Sequence, residues 1–340
     1  MKKGINNQAM TNADAIRFVL TARAVNDIFP DSDSAEKTYR ELAMLVHPDA
    51  VNASSKTEAE SAFVKLTKFY QELNGKSEPF PAMKIGHWVV TAPLASGDMA
   101  DLYCATNEKR DEVVFKIARL PRDNDLMEAE ASNLKALWAD GSTDNFKKYL
   151  PQVFENVRAS GRAANVLARA GISHYSLMDI LQRFPAGLDF RHIVWMMNRL
   201  LAVLGCAHRT GFVHGAVLPQ HLLYQIEDHG LMLVDWCYSV PRGKIVKAIV
   251  SAQRASYPFE ILGKKSVDAS TDIFMAARAM INAAGTIPSR FQGLLEDWCL
   301  ADSPKARPHD AWELQERWIQ LAEKEYGPPK YVRLEMPPPN

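Results

Sequence analysis

The stretch HGAVLPQHLL, residues 214–223, combines a histidine and glycine turn, a proline and a closing apolar pair, Leu222 and Leu223. It holds no carboxylate, and its third residue is Ala216. On its N-terminal side Phe190, Ile193, Val194, Met197, Leu200, Leu201 and Leu204 recur at helical intervals on one apolar face. Trp195 and Met196 beside that face imply burial on more than one side. On its C-terminal side LMLVDWC, 231–237, sets Asp235 directly after an apolar strand.

The chain around this stretch is long and electrically balanced. With 340 residues, 47% of them hydrophobic, it has material for two cores. Forty basic residues cancel forty acidic ones, so no global charge draws it to nucleic acid or to an anionic membrane. The four cysteines, Cys104, Cys206, Cys237 and Cys299, form no CxxC pair. That speaks against a zinc cluster or a disulfide scaffold and for a reducing cytosol. Among the nine histidines, His208, His214, His221 and His229 follow one another at spacings of six, seven and eight, which supply no i, i+4 ligand pair. Residues 1–10, MKKGINNQAM, lack the apolar stretch of a signal peptide, and the longest apolar run, LLAVLGCA at 200–207, is far short of the roughly 20 residues of a membrane span. A cytoplasmic protein with neither nucleic acid nor membrane as partner is expected.

Periodicity orders the rest. A helix is predicted around Ala15 to Ile28. A second, about Ala35 to Val46, places Tyr39, Leu42, Ala43 and Val46 on one face, with Asp33 and Glu36 at N-cap and N3 spacing. Thr57 and Glu60 offer another capping box ahead of Phe63, Leu66, Tyr70 and Leu73. The glycine and prolines of NGKSEPFPAM, 74–83, mark a domain boundary near residue 80. Beyond it HWVVTAPL, DLYCAT and EVVFKIARL read as strands and NDLMEAEASNLKALW as a helix. The tail GPPKYVRLEMPPPN, 327–340, is proline-rich and extended, either a linker or a docking strand.

Several short motifs stand in a telling order. Lys116 lies in the strand VVFKIA, and Glu130 follows in the helix EASNLKAL. Then come HGAVLPQHLL and Asp235. SYPFEIL holds Glu260, DASTDIFMAARAM holds Asp272, and LADSPKARPHDAWEL holds Arg307. In this order, over about residues 85–325, the sequence resembles the protein-kinase-like superfamily. The resemblance implies an α+β fold with a sheet-rich lobe over about 85–160 and a helical lobe over about 161–326. It further implies a nucleotide cleft for ATP and magnesium, with Gly97, Lys116, Glu130 and Asp235 around the phosphates and Asp235 holding the metal. His214, Glu260, Asp272 and Arg307 are structural in that family.

The departures are as specific as the matches. The glycine-rich turn survives as ASGDMA, 95–100, with Gly97 alone of its three glycines. Ala216 stands where the catalytic base would be, Leu218 at the lysine position of serine/threonine kinases, and His221 at the magnesium-binding asparagine. Loss of a positioned base costs on the order of 100- to 10,000-fold in rate, and imidazole is a poor ligand for magnesium. The frame reads as that of a pseudokinase. HGAVLP and VDWCYSV lean toward small-molecule kinases of the aminoglycoside and choline type, while PFE and ARP lean toward protein kinases.

Over about residues 15–75, YRELAMLVHPD followed by AFVKLTKFYQEL resembles the second and third helices of a J domain, with His47, Pro48 and Asp49 as the signature loop. The resemblance implies a small three-helix N-terminal module, 1–80, that contacts a DnaK-type heat-shock ATPase through this loop and through Lys37 and Arg40. Between Ser34 and Val46, Glu36 and Glu41 offset those two cations and weaken the usual basic face. The combined expectation is a catalytically inactive adaptor that recruits a chaperone to an unknown protein client. The alternatives are a residual phosphotransferase and an ATP-sensing protein without turnover.

Overall fold

A computed structural model describes residues 10–22, 24–31, 34–47, 51, 56–73, 83–109, 111–171 and 173–336. The chain divides into two compact units, Met1–Pro81 and Ala82–Asn340.

The first unit is helical: α1 Asn12–Thr21, α2 Val25–Ile28, α3 Ala35–Val46 and α4 Lys56–Leu73. The single helix expected over Ala15 to Ile28 is broken after Thr21. Ala22 turns to extended dihedrals, and the Thr21 hydroxyl bonds back to the Arg17 carbonyl at 2.8 Å. Lys65 of α4 donates to the carbonyls of Leu20 and Ala22, taking up oxygens that a helix end leaves without partners. Asp27 then accepts from the Ala24 amide at 2.9 Å and opens α2. Ser34 stands at the cap of α3 but its hydroxyl donates back to the Asp31 carbonyl instead of capping the helix, Glu36 pairs with Arg40, and the expected cap Asp33 lies outside the described residues. Thr57 falls inside α4, which already begins at Lys56. Ile16, Val19, Phe29, Leu42, Val46 and Leu66 form the core. Tyr39 stacks on Tyr70 at 4.2 Å between centroids, and the His47 ring meets Phe63 edge-on at 5.3 Å.

The second unit opens with β1 Met83–Ile85, β2 Trp88–Ser96, β3 Ala100–Thr106 and β4 Glu112–Ala118, then α5 Asn124–Ala139, β5 Val153–Ala159 and β6 Arg162–Ala168. These strands form one antiparallel six-stranded sheet in the order β1-β2-β3-β4-β6-β5. The sheet runs past the expected limit of about 160, because β6 closes the hairpin begun by β5 and pairs with β4. Pro93 sits inside β2 where the register with β3 shifts, the kind of place where a missing backbone N–H is tolerated. β4 is buried along nearly all its length, as befits a strand paired on both edges and packed against α5.

Then follow β7 His174–Ser176, α6 Leu177–Arg183, α7 Phe190–Arg209, β8 Phe212–Val213, β9 Leu222–Gln225, β10 Gly230–Leu233 and β11 Val240–Pro241. The chain ends with α8 Phe259–Leu262, α9 Ala269–Ala283, α10 Ser289–Gln292 and α11 Ala311–Tyr326. α7 is buried on several sides, as Trp195 and Met196 imply, and α11 packs along it. The Trp318 and Trp312 indoles donate to the carbonyls of Val194 and Ala202 at 2.9 and 3.1 Å. A methyl at Gly205 would lie 2.3 Å from the Trp312 ring, so only glycine admits that close approach. The tail docks as far as it is described: His229 bonds the Val332 carbonyl at 2.9 Å, Tyr331 stacks on His229, and Leu334 is buried. Among the described residues no helix is long and apolar enough to cross a membrane.

Candidate functional site

Four side chains from separate elements converge between the sheet and the helical part of the second unit. Lys116 projects from β4, where its backbone neighbours are Leu102 of β3 and Asn165 of β6. Its ammonium donates to Glu130 Oε1 on α5 at 2.8 Å and to Asp235 Oδ1. The other Glu130 oxygen accepts from Asn165 Nδ2 at 2.8 Å. The bond from Lys116 to Asp235 thus links the sheet to the segment that follows β10. Burial opposes charge on Lys116, yet the carboxylates of Asp235 and Glu130 raise its pKa well above the usual lysine range.

Asp235 adopts left-handed dihedrals, φ 69° and ψ 49°, a conformation that aspartate tolerates better than most residues. Its Oδ2 lies 2.9 Å from His221 Nε2, and its Oδ1 also accepts from Cys237 Sγ at 3.1 Å. Burial works against the carboxylate, but Lys116 and then His221 outweigh it and hold the pKa well below the normal carboxylate range. The same burial, with the Asp235 charge beside it, pushes the Cys237 thiol well up.

The loop that carries His221 hangs from a second aspartate. Asp272 of α9 is fully buried and accepts from the amides of His214 and Gly215 at 2.7 and 2.8 Å, while His208 Nε2 lies 2.9 Å from it. Gly215 has φ 73°, and a methyl there would meet Val246 at 2.9 Å, so the loop requires glycine. His214 Nε2 faces the Val234 carbonyl at 3.0 Å, and its Nδ1 accepts from the Ala216 amide at 3.3 Å. This pattern suits a neutral ring, and burial holds the His214 pKa down to about 4. Ala216 and Leu218 are both fully buried, so neither side chain offers chemistry to the cleft. The Ala216 carbonyl accepts from His221 Nδ1 at 2.8 Å.

Elsewhere Glu260 and Arg307 form a dry pair at 2.6 Å, with Thr271 donating to the same glutamate oxygen and Arg307 lying over the Phe274 ring. The Gly97 turn is shaped by its own bonds, Gly97 N to Ala100 O at 2.9 Å and Ser96 Oγ to Asp101 at 2.6 Å. A methyl at Gly97 would meet only the Ala100 carbonyl, at 3.5 Å. Asp98 of that turn accepts from the Ser251 amide at 2.7 Å, and Lys247 reaches Asp125 on α5 at 2.6 Å. The stretch 242–257, rich in basic residues, therefore spends Lys247 on α5 and Arg242 on the His208 carbonyl.

Lys116, Glu130 and Asp235 thus meet as one cluster, while Gly97 lies on the turn between β2 and β3. His221 joins the cluster as a partner of Asp235, a contact that its reading as a lost ligand did not reveal. Asn165, a lone polar residue in the apolar run AANVLA, is the further member that the sequence hid. Magnesium takes oxygen ligands in a near-octahedral shell. Here both Asp235 oxygens are engaged by protein donors and the neighbouring position holds an imidazole, so this donor set does not fit the ion. Among the described residues no three His, Cys, Asp or Glu side chains gather into a group that could hold a metal. Of the residues read in the first unit, His47 ends α3, Lys37 and Arg40 lie exposed on it beside Glu41 and Glu36, and Pro48 and Asp49 lie outside the described residues.

No family model matches the sequence. Among solved structures, the PknI kinase domain of Mycobacterium tuberculosis is similar at 17% identity with a TM-score of 0.56, over 71% of this chain and 98% of that domain. A point variant of that domain gives the same score and coverage at 15% identity. With the antiparallel sheet, the α5 helix packed against it and the Asp272 loop already described, this likeness shows a kinase-like fold.

Proposed function

We propose that the chain is a catalytically silent kinase-like protein that serves as an adaptor. The observation that carries this is the state of the catalytic loop: a buried Ala216 at the base position, linked through the His221 ring to an Asp235 whose two oxygens are already bonded by Lys116 and His221. No acid replaces the missing one within the loop 214–223. A kinase-like cleft without base or metal ligand is suited to holding a shape that a partner protein recognises.

The helical unit supplies the second half of the reading. His47 closes α3 immediately before Pro48 and Asp49, and Tyr39 on Tyr70 and His47 on Phe63 clamp α3 against α4, as a J-like module requires. It would recruit a DnaK-type ATPase to whatever protein client the kinase-like unit holds, with the gain coming from effective concentration. Lys37 and Arg40 are offset by Glu41 and Glu36 on the same helix, so the affinity for an acidic chaperone surface is modest.

The test is the ATPase rate of a DnaK-type chaperone from the same source, with the wild-type chain and with His47→Gln. Stimulation by the wild type that disappears in a variant of unchanged thermal midpoint is expected. Equal rates with both proteins would remove the co-chaperone role.

A further inference from the structure

We propose that His221 takes the mechanical place of a magnesium ion, so that side chains alone tie the two lobes of the kinase-like unit together. The proposal rests on the silent-cleft reading above and concerns the same cleft. Glu130 of α5 and Lys116 of β4 belong to the sheet lobe. Asp235 and His221 belong to the helical lobe. The contact from Lys116 to Asp235 therefore crosses the cleft, and His221 fixes its far end.

The imidazole is held at both nitrogens. Nδ1 lies 2.8 Å from the Ala216 carbonyl and Nε2 lies 2.9 Å from Asp235 Oδ2. Its face is stacked against Tyr238 at 5.9 Å and 20°, and the residue is 5% exposed. A ring so placed cannot swing aside to open Asp235 to a cation, whereas an asparagine at 221 would present a carbonyl oxygen to one. The Lys116 ammonium and Cys237 Sγ close the other carboxylate oxygen.

The turn at Gly97 repeats the pattern independently. In a working phosphoryl-transfer site this turn is drawn down by phosphate. Here the Asp98 carboxylate accepts the Ser251 amide at 2.7 Å, so the turn is tethered to the segment that leads toward α8. Val246 of the same segment is buried against Gly215. Both places where a metal-bound nucleotide would bridge the lobes are bridged by the protein. Closure then needs no ligand, and magnesium adds nothing to it.

Thermal unfolding of the full chain tests this, with magnesium alone, ATP alone and both together, on the wild type and on His221→Asn and His221→Gln. The expected result is an unchanged wild-type midpoint in every condition. In at least one variant the midpoint rises by about 5 °C with ATP and magnesium near 100-fold excess over the dissociation constant. Adding Asp235→Asn to that variant removes the rise. A magnesium-dependent rise in the wild type overturns the proposal, as does the absence of any rise in both variants while they still unfold cooperatively. If neither variant folds, the wild-type arm decides alone. Transfer of labelled phosphate by the wild type is read in a separate assay and bears on the silent-cleft reading itself.

Discussion

Two aspartates grip the loop 214–221, and they differ in what they serve. Asp272 serves the fold: it is fully buried and accepts two backbone amides from the loop as well as the His208 ring. Asp235, read in the sequence as a magnesium ligand, is served instead by Lys116 and His221. Of the loop residues that Asp272 holds, His214 agrees with the resemblance read in the sequence, whereas Ala216, Leu218 and His221 further along the same loop depart from it. The difference teaches that the two sets answer to separate demands. Buried backbone amides need acceptors whatever the protein does. A base and a metal ligand are needed only if there is chemistry.

The comparison breaks first at the fold-bearing side. Asp272→Ala leaves two amides and an imidazole without their acceptor, and Glu260→Ala strands Arg307 in a dry site. Each is expected to lose about 3–5 kcal/mol in urea unfolding. A loss near zero for Asp272→Ala would mean that the loop is held by packing alone.

Lys116→Ala tests whether the other cluster has become structural. It leaves Glu130 and Asp235 facing one another without their cation, and a loss of about 3 kcal/mol in the same assay is expected, toward the lower end for a broken buried pair because Asp235 is partly exposed. Unchanged stability would show that the cluster carries no load.

The smallest effect sharpens the comparison through pH. The folded chain holds His214 at about 4, against 6.5 for a free imidazole. The unfolded state therefore binds more protons between those values. Stability should fall as pH drops from about 6.5 toward about 4, by at most about 3 kcal/mol. His214→Asn should flatten this part of the profile, and parallel profiles for the two proteins would count against a neutral buried ring.

Much of this arrangement was legible in order and spacing. Lys116 in a β-branched run and Glu130 in the next helix are local patterns, and Asp272 and Arg307 sit in motifs whose neighbours identify them. What stayed hidden depends on distance in space. Asn165 reaches Glu130 across 35 residues, and the Ser251 amide reaches Asp98 across 153. His221 could be read as an absent ligand, but that its ring would close on Asp235 required the fold that brings the two together. The break after Thr21 escaped because apolar periodicity continues through it, while the carbonyl that it frees at Ala22 is taken up by a lysine 43 residues downstream. The sheet's true extent escaped for a similar reason: β6 is nearly all buried and shows no alternation to mark it.

The most direct measurement is magnesium-dependent transfer of labelled γ-phosphate from ATP, to the chain itself and to a generic protein acceptor, by the wild type with Lys116→Ala as control. The silent cleft proposed above is expected to give equal background signal in both proteins. Transfer by the wild type that is lost in Lys116→Ala would contradict it and make the chain a working phosphotransferase.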